Sequence, residues 1–246
     1  MTGNQVPASY KALFRLLQTT GGALTESLER LFKDSGEPFD PATARFEADV
    51  YTAFRMSCCL QRNLRAWEDL ATLFMIGVVG THRSHVRSDN LDGVFEERVE
   101  TYGRCWNACV DSKTYPALQC LQMLRIFILG AARRGRIDPR VPLDITDGFM
   151  GEVFATPTLI ELDSNVVGKL DCALKNIMRF SDDLASLTEN EVLMAAARGF
   201  DEASQILGHS GKQPVQSQLR DAMRAMGRDA NPQTGLRRKR WWQFWA

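Results

Sequence analysis

A run of apolar and small residues spaced alternately four and three positions apart constrains the fold of this chain most strongly. Its members are Phe46, Val50, Ala53, Ser57, Leu60, Leu64, Trp67, Ala71, Phe74 and Val78. This spacing returns side chains to one face of an α-helix, whereas a strand would alternate every second residue. The run therefore predicts one helix of about nine turns, with Asp40 as its N-cap, Pro41 in its first turn and Gly80 near its end.

Polar residues fill the other positions of this segment and predict a solvent-facing side. They are Arg45, Glu47, Arg55, Gln61, Arg62, Arg65, Glu68 and Asp69. A helix of this kind packs its apolar side against a core and leaves its polar side in water. Leu60, Leu64, Trp67 and Phe74 are the expected core anchors.

Further segments repeat the helical spacing, at Tyr10–Leu31, Phe95–Cys109, Val166–Leu187 and Leu193–Leu207. The glycine pair Gly21-Gly22 predicts a kink or a break in the first of them. Residues 117–132 are apolar nearly all round, which is typical of a helix in the middle of a bundle. The sequence thus predicts an all-α fold, a helical bundle of about six or seven mostly antiparallel helices.

Two stretches depart from the helical pattern. Residues 133–164 contain Pro139, Pro142 and Pro157 and predict a long irregular loop, in which Val153-Phe154 and Leu159-Ile160 could form short strands. After Gly208 the chain becomes polar and rich in turn residues. We therefore predict a helical bundle domain over residues 1–211, followed by a linker and a flexible C-terminal tail over residues 212–246.

Charge is distributed unevenly along the chain, although the formal net charge is zero. Residues 213–246 hold seven basic and two acidic residues, which leaves 23 basic and 28 acidic residues in 1–212. A mildly acidic body has no general attraction for nucleic acid, so nucleic acid is disfavoured as a partner.

The six cysteines lie within apolar helical patterns, which predicts reduced thiols packed in the core. His82 and His85 stand three positions apart, but no third ligand has a spacing that would complete a metal site, and Arg83 and Arg87 repel a cation. We predict neither a metal nor a cofactor. Phosphate-binding glycine loops and nucleophile motifs are absent from the sequence, so no catalytic residue is indicated.

Two features of the sequence bear on the cellular compartment of the protein. Residues 1–10 contain no basic and apolar export signal. The longest apolar stretch, Leu70–Gly80, is too short to span a bilayer. These features predict a cytoplasmic protein, with the option of peripheral attachment to the inner face of a membrane.

The C-terminal segment 236–246 carries the sharpest functional pattern in the sequence. Four consecutive cations (Arg237, Arg238, Lys239 and Arg240) precede four aromatic residues (Trp241, Trp242, Phe244 and Trp245). Tryptophan favours the water–lipid interface, and a polybasic stretch is attracted to anionic lipid. The same residues could anchor in a protein groove, pack on the body of the chain or stack on single-stranded nucleic acid.

These patterns favour a non-enzymatic helical adaptor or scaffold, attached by its tail to the cytoplasmic membrane surface or to a protein partner. The first alternative is an all-helical enzyme or small-ligand-binding bundle with a site under the loop 133–164. The second is a nucleic-acid-associated accessory protein that uses the tail. The sequence leaves the oligomeric state open.

Overall fold

Seven α-helices make up the described part of the chain. The computed structural model describes residues 8–63, 67–111, 116–140, 156–181 and 183–209. The helices are α1 (Ala8–Asp34), α2 (Pro41–Asn63), α3 (Trp67–His82), α4 (Leu91–Asp111), α5 (Pro116–Arg134), α6 (Thr156–Met178) and α7 (Glu189–His209), with a 3₁₀ turn at Leu184–Ser186. No strand occurs within these ranges. The predicted all-α bundle is confirmed.

Helix α2 lies at the centre of the bundle and packs against α1, α3, α4, α5 and α6. Asp40 caps it as predicted, since the Thr43 amide donates to Asp40 Oδ2 at 3.0 Å. Every residue from 46 to 60 is buried. The predicted solvent-facing side of this segment is therefore wrong for Glu47 and Arg55, because neighbouring helices cover α2 on all sides.

The single helix predicted from Phe46 to Val78 is also wrong, because α3 returns along α2. His82 Nε2, at the end of α3, lies 2.8 Å from Asp49 Oδ2 of α2. In one continuous helix these residues would be about 50 Å apart. Leu60 and Phe74 are buried core residues as predicted, whereas the side chains of Leu64 and Trp67 lie outside the described residues.

Helix α1 runs unbroken through Gly21 and Gly22, so the break allowed at this pair does not occur. The glycine at 21 instead permits a close approach between helices. A Cβ there would lie only 1.9 Å from Asp49 Oδ1. The absence of a side chain thus makes room for the buried carboxylate of α2.

Helix α5 has the central position predicted for residues 117–132, since all residues from Leu124 to Ala131 are buried. The loop predicted over residues 133–164 is too long, because α6 begins at Thr156 and includes Leu159 and Ile160. These two residues are therefore helical rather than extended. Pro157 lies in the first turn of α6, where its missing N–H has no partner to lose.

The helix predicted over Val166–Leu187 ends earlier than its apolar spacing suggested. Helix α6 stops at Met178, and Phe180 is 52% exposed. Leu184 and Leu187 are buried, but they belong to the 3₁₀ turn and its C-cap. The spacing therefore merged α6 with the turn that follows it.

Among the described helices, none is long and apolar enough to cross a membrane. Residues 141–155, part of the segment predicted as a loop, lie outside the described residues. So do residues 210–246, which include the predicted domain boundary near residue 211 and the predicted tail.

Candidate functional site

Four acidic side chains and their basic partners form a polar layer inside the bundle. Glu47, Tyr51 and Arg55 follow one another at intervals of four on α2, which places them on one helical face. Asp49 faces α1 and α3, and Glu37 precedes the helix. Among the described residues, the buried side chains that can carry a charge belong to this layer.

Glu47 and Arg98 form the most buried ion pair of this layer, with side chains 0% and 2% exposed. Arg98 Nε and Nη2 donate to the carboxylate at 3.1 to 3.2 Å. The guanidinium also lies over the Phe127 ring, 3.7 Å from its centroid. Burial raises the pKa of Glu47, and the neighbouring Arg98 opposes that shift.

Besides pairing with Glu47, Arg98 donates hydrogen bonds to two backbone carbonyls. Its Nη2 donates to the Asp138 carbonyl at 2.8 Å, and its Nη1 donates to the Pro139 carbonyl at 3.0 Å. One guanidinium on α4 therefore holds both a carboxylate of α2 and the backbone that follows α5. Its N–H groups are nearly all used.

Asp163 is the hydrogen-bond acceptor at the centre of the second buried cluster of the layer. Arg55 Nε and Nη2 donate to its two oxygens at 3.0 and 3.1 Å, and the Tyr51 hydroxyl donates to Oδ1 at 2.6 Å. The Arg55 guanidinium lies 4.6 Å from the centroid of the Trp106 ring. Residue 163 was included in the predicted irregular loop. In the structure it belongs to α6, and its side chain is buried in the core.

Asp49 links α2 directly to α3, and through Arg45 to α1. It contacts His82 Nε2 at 2.8 Å and accepts from Arg45 Nε at 3.1 Å, while Arg45 also donates to the Gln18 carbonyl. His85, the other histidine considered for metal binding, is exposed. The structure therefore does not bring His82 and His85 into one ligand set, and the described residues contain no group of three or more metal-ligating side chains.

Glu37 and Arg125 complete the layer. Arg125 Nε donates to Glu37 Oε2 at 3.2 Å, and its Nη2 contacts Oε1 more closely. Arg125 is buried within the apolar surface of α5. This pair anchors the connection before α2 to the centre of the bundle.

Each buried charge described here has an opposite charge or a hydrogen-bond partner within the protein. A buried charge without one would be strongly destabilising, so the pairing is what allows these groups to be packed. A general acid or base, in contrast, needs access to a substrate proton. The geometry therefore indicates that the polar layer serves packing.

The cysteines show the same structural character. Cys58, Cys59, Cys109 and Cys120 are buried, and Cys105 and Cys172 are half-buried, as their apolar surroundings predicted. Burial raises the pKa of the Cys105, Cys120 and Cys172 thiols. A raised pKa keeps these groups protonated near neutral pH, and the thiol is a much poorer nucleophile than the thiolate.

The residues predicted to bind a membrane or partner, Arg237–Arg240 with Trp241, Trp242, Phe244 and Trp245, lie outside the described residues. Sequence reasoning missed the polar layer, although a partial clue was present. Charged residues at 47 and 55 sit on a helix whose apolar neighbours point in several directions, which favours burial on all sides. No comparable sequence pattern indicated that Arg98 and Asp163 would be their partners.

Comparisons with protein-family models, with curated proteins and with solved structures each found no match.

Proposed function

We propose that this protein is a non-enzymatic helical adaptor or scaffold, attached peripherally through its C-terminal segment 236–246. The observation that supports this most is the pairing of the buried charges. Glu47, Asp49 and Asp163 are committed to Arg98, His82 and Arg55 within the core. The chemistry available for recognition is then concentrated in the tail, where four cations adjoin four aromatic residues.

The tail has two kinds of affinity for an anionic membrane surface. Each cation near such a surface contributes about 1 kcal/mol of attraction, which salt screens. Tryptophan and phenylalanine add shallow insertion at the interface, which salt does not remove. The eleven residues 236–246 are too few to span a bilayer, so the attachment is peripheral and reversible.

A protein groove is the competing receptor for the same segment. Aromatic residues and arginine are the side chains that most often dominate protein interfaces, and a cluster of tryptophans would suit a hydrophobic pocket. In that case the protein would not bind lipid vesicles, and the tail would act as a docking peptide.

Substitution of the two halves of the tail separates charge from insertion. Changing Arg237, Arg238, Lys239 and Arg240 to Gln should weaken vesicle binding mainly at about 0.1 M salt, because at about 1 M the Debye length falls to about 3 Å. Changing the four aromatic residues to Ala should weaken binding at every salt concentration. Sedimentation with vesicles of phosphatidylcholine and phosphatidylserine measures both effects.

A charge-matched control uses Lys212, Arg220, Arg224 and Arg228, which lie in the preceding segment without adjoining tryptophans. Their replacement by Gln removes four cations as well but should have a smaller effect on vesicle binding. Equal losses in both charge variants would contradict a specific role for the tail. Failure of the unmodified protein to bind vesicles would reject membrane attachment.

A further inference from the structure

Helices α2 and α4 meet through a regular ladder of side-chain contacts. In chain order, the contacts are Glu47 with Arg98, Tyr51 with Tyr102, and Arg55 with Trp106. In each pair the residue of α4 lies 51 positions after the residue of α2. A constant offset means that the two helices run in the same direction and keep one register along their contact.

The residues of α2 that face α4 follow one helical stripe. Glu47, Tyr51 and Phe54 lie four and three positions apart, which returns side chains to the same face of a helix. The Phe54 ring contacts the Tyr102 ring of α4, with centroids 5.3 Å apart. Four positions further along this stripe lies Cys58.

The facing stripe of α4 has the same spacing. Arg98, Tyr102 and Cys105 lie four and three positions apart, and Cys109 follows four positions later. Extending the ladder by one step at the constant offset therefore places Cys58 of α2 opposite Cys109 of α4. Both cysteines are buried, with 9% and 7% of their surface exposed.

Two features of this step suit a disulfide bond. A disulfide requires Cα atoms about 4.4–6.8 Å apart, and two cysteines hold helices apart less than the aromatic and charged side chains earlier in the ladder. The step also lies close to the ends of both helices, since α2 ends at Asn63 and α4 ends at Asp111. Terminal turns open at a lower free energy than the centre of a helix, so a small adjustment costs least there.

We propose that Cys58 and Cys109 form an intramolecular disulfide when the protein is exposed to hydrogen peroxide, and that this bond links α2 to α4. The sulfur of one cysteine attacks a peroxide oxygen and breaks the O–O bond, which gives a sulfenic acid and one water. The second sulfur attacks the sulfenic sulfur, which forms the S–S bond and releases a second water. The two thiols lose two electrons, and the peroxide is reduced to two waters.

Other cysteines near this step are less suited to the same bond. Cys105 and Cys109 lie one turn apart on one helix, where Cβ atoms are about 5–6 Å apart, whereas a disulfide requires about 3.5–4.5 Å. Cys59 projects about 100° away from Cys58 around α2. The Cys120 thiol is fully buried and donates to the Tyr102 carbonyl at 3.6 Å, so peroxide has little access to it.

The bond would stabilise the fold by restricting the unfolded chain. A disulfide closes a loop in that state, and the restriction grows with the length of the loop. Because the two cysteines are 51 positions apart, oxidation should raise the melting temperature by about 5 °C or more. Dithiothreitol should reverse the rise. This inference goes beyond the proposed attachment and does not depend on the tail.

Peptide mapping of the oxidised full-length protein tests the pairing. The protein is treated with a small excess of hydrogen peroxide, the remaining thiols are blocked with iodoacetamide, and the chain is digested without reductant. Mass spectrometry should find residue 58 linked to residue 109 within one chain, and dithiothreitol should remove the link. If oxidation yields no such peptide, or links only two separate chains, the proposal is overturned.

Single substitutions assign the link to its two sulfurs. Cys58→Ala and Cys109→Ala should each abolish the link and the rise in melting temperature. The matched controls Cys59→Ala on α2 and Cys105→Ala on α4 remove a neighbouring thiol and should retain both effects. Loss of the link in the controls but not in the first two variants would contradict the register. The map of the unsubstituted protein stays decisive if a variant does not fold.

Discussion

Replacing Glu47 by glutamine is expected to lower the free energy of unfolding by about 3–5 kcal/mol. The change keeps the shape of the side chain but leaves the Arg98 guanidinium buried without its counterion. An uncompensated charge in the core is costly because its hydration is not replaced. Urea unfolding followed by circular dichroism near neutral pH measures the loss.

Two controls identify the buried pair as the cause. Glu97→Gln removes a half-buried acid on α4 that pairs with the exposed Arg104 at 3.0 Å, and it should cost less than about 1 kcal/mol. The double variant Glu47→Leu/Arg98→Met removes both charges and should be less destabilised than Glu47→Gln. Equal costs for Glu47→Gln and Glu97→Gln would contradict the burial of this pair.

Gly199→Ala is expected to destabilise the protein by about 3 kcal/mol, because α6 and α7 pack backbone to backbone at this position. A Cβ at residue 199 would lie 2.4 Å from Ala173 Cα and 2.5 Å from the carbonyl carbon of Cys172. Backbone atoms cannot rotate away as a side chain could, so the two helices would have to separate. The same urea unfolding measures the effect.

Gly103→Ala is the matched control within α4. A Cβ there meets no atom within 4 Å, so alanine should stabilise the helix by about 0.5–1 kcal/mol relative to glycine. Opposite signs for the two substitutions support the close packing of α6 on α7. A neutral or stabilising Gly199→Ala would show that these helices lie further apart.

Helical spacing predicted the existence of most helices but not how the chain turns between them. A period of 3.6 residues continues in register whether residues 46–78 form one helix or two antiparallel ones. The pairing of His82 with Asp49 reveals the reversal, and that pairing depends on the tertiary fold. Helix α5 was easier to place, because its uninterrupted apolar character already requires burial on every side.

The buried charges show a second limit of sequence reasoning. Charged residues such as Glu47 and Arg55 ordinarily face solvent, so their position on an amphipathic pattern suggested an exposed side. Their burial becomes stable only because Arg98 and Asp163 arrive from α4 and α6. These partners are 51 and 108 residues away in the chain, so local patterns could not pair them.

The fixed backbone that follows α5 could also be predicted only in part. Residues 133–140 contain four arginines that are evident in the sequence, and they begin the segment where a ligand site was one alternative. Their arrangement depends on Arg98, which holds the backbone at Asp138 and Pro139. Sequence alone could identify the local excess of charge but not the contacts that hold this backbone.

We propose a self-contained helical body with a separable attachment segment, and deletion of residues 236–246 tests that claim. The deletion variant should lose binding to phosphatidylserine-containing vesicles while its helical content is retained and its melting temperature stays within about 2 °C of the full-length value. Retained vesicle binding, or a melting temperature lowered by more than about 10 °C, would contradict the claim, because the segment would then be dispensable for attachment or part of the core.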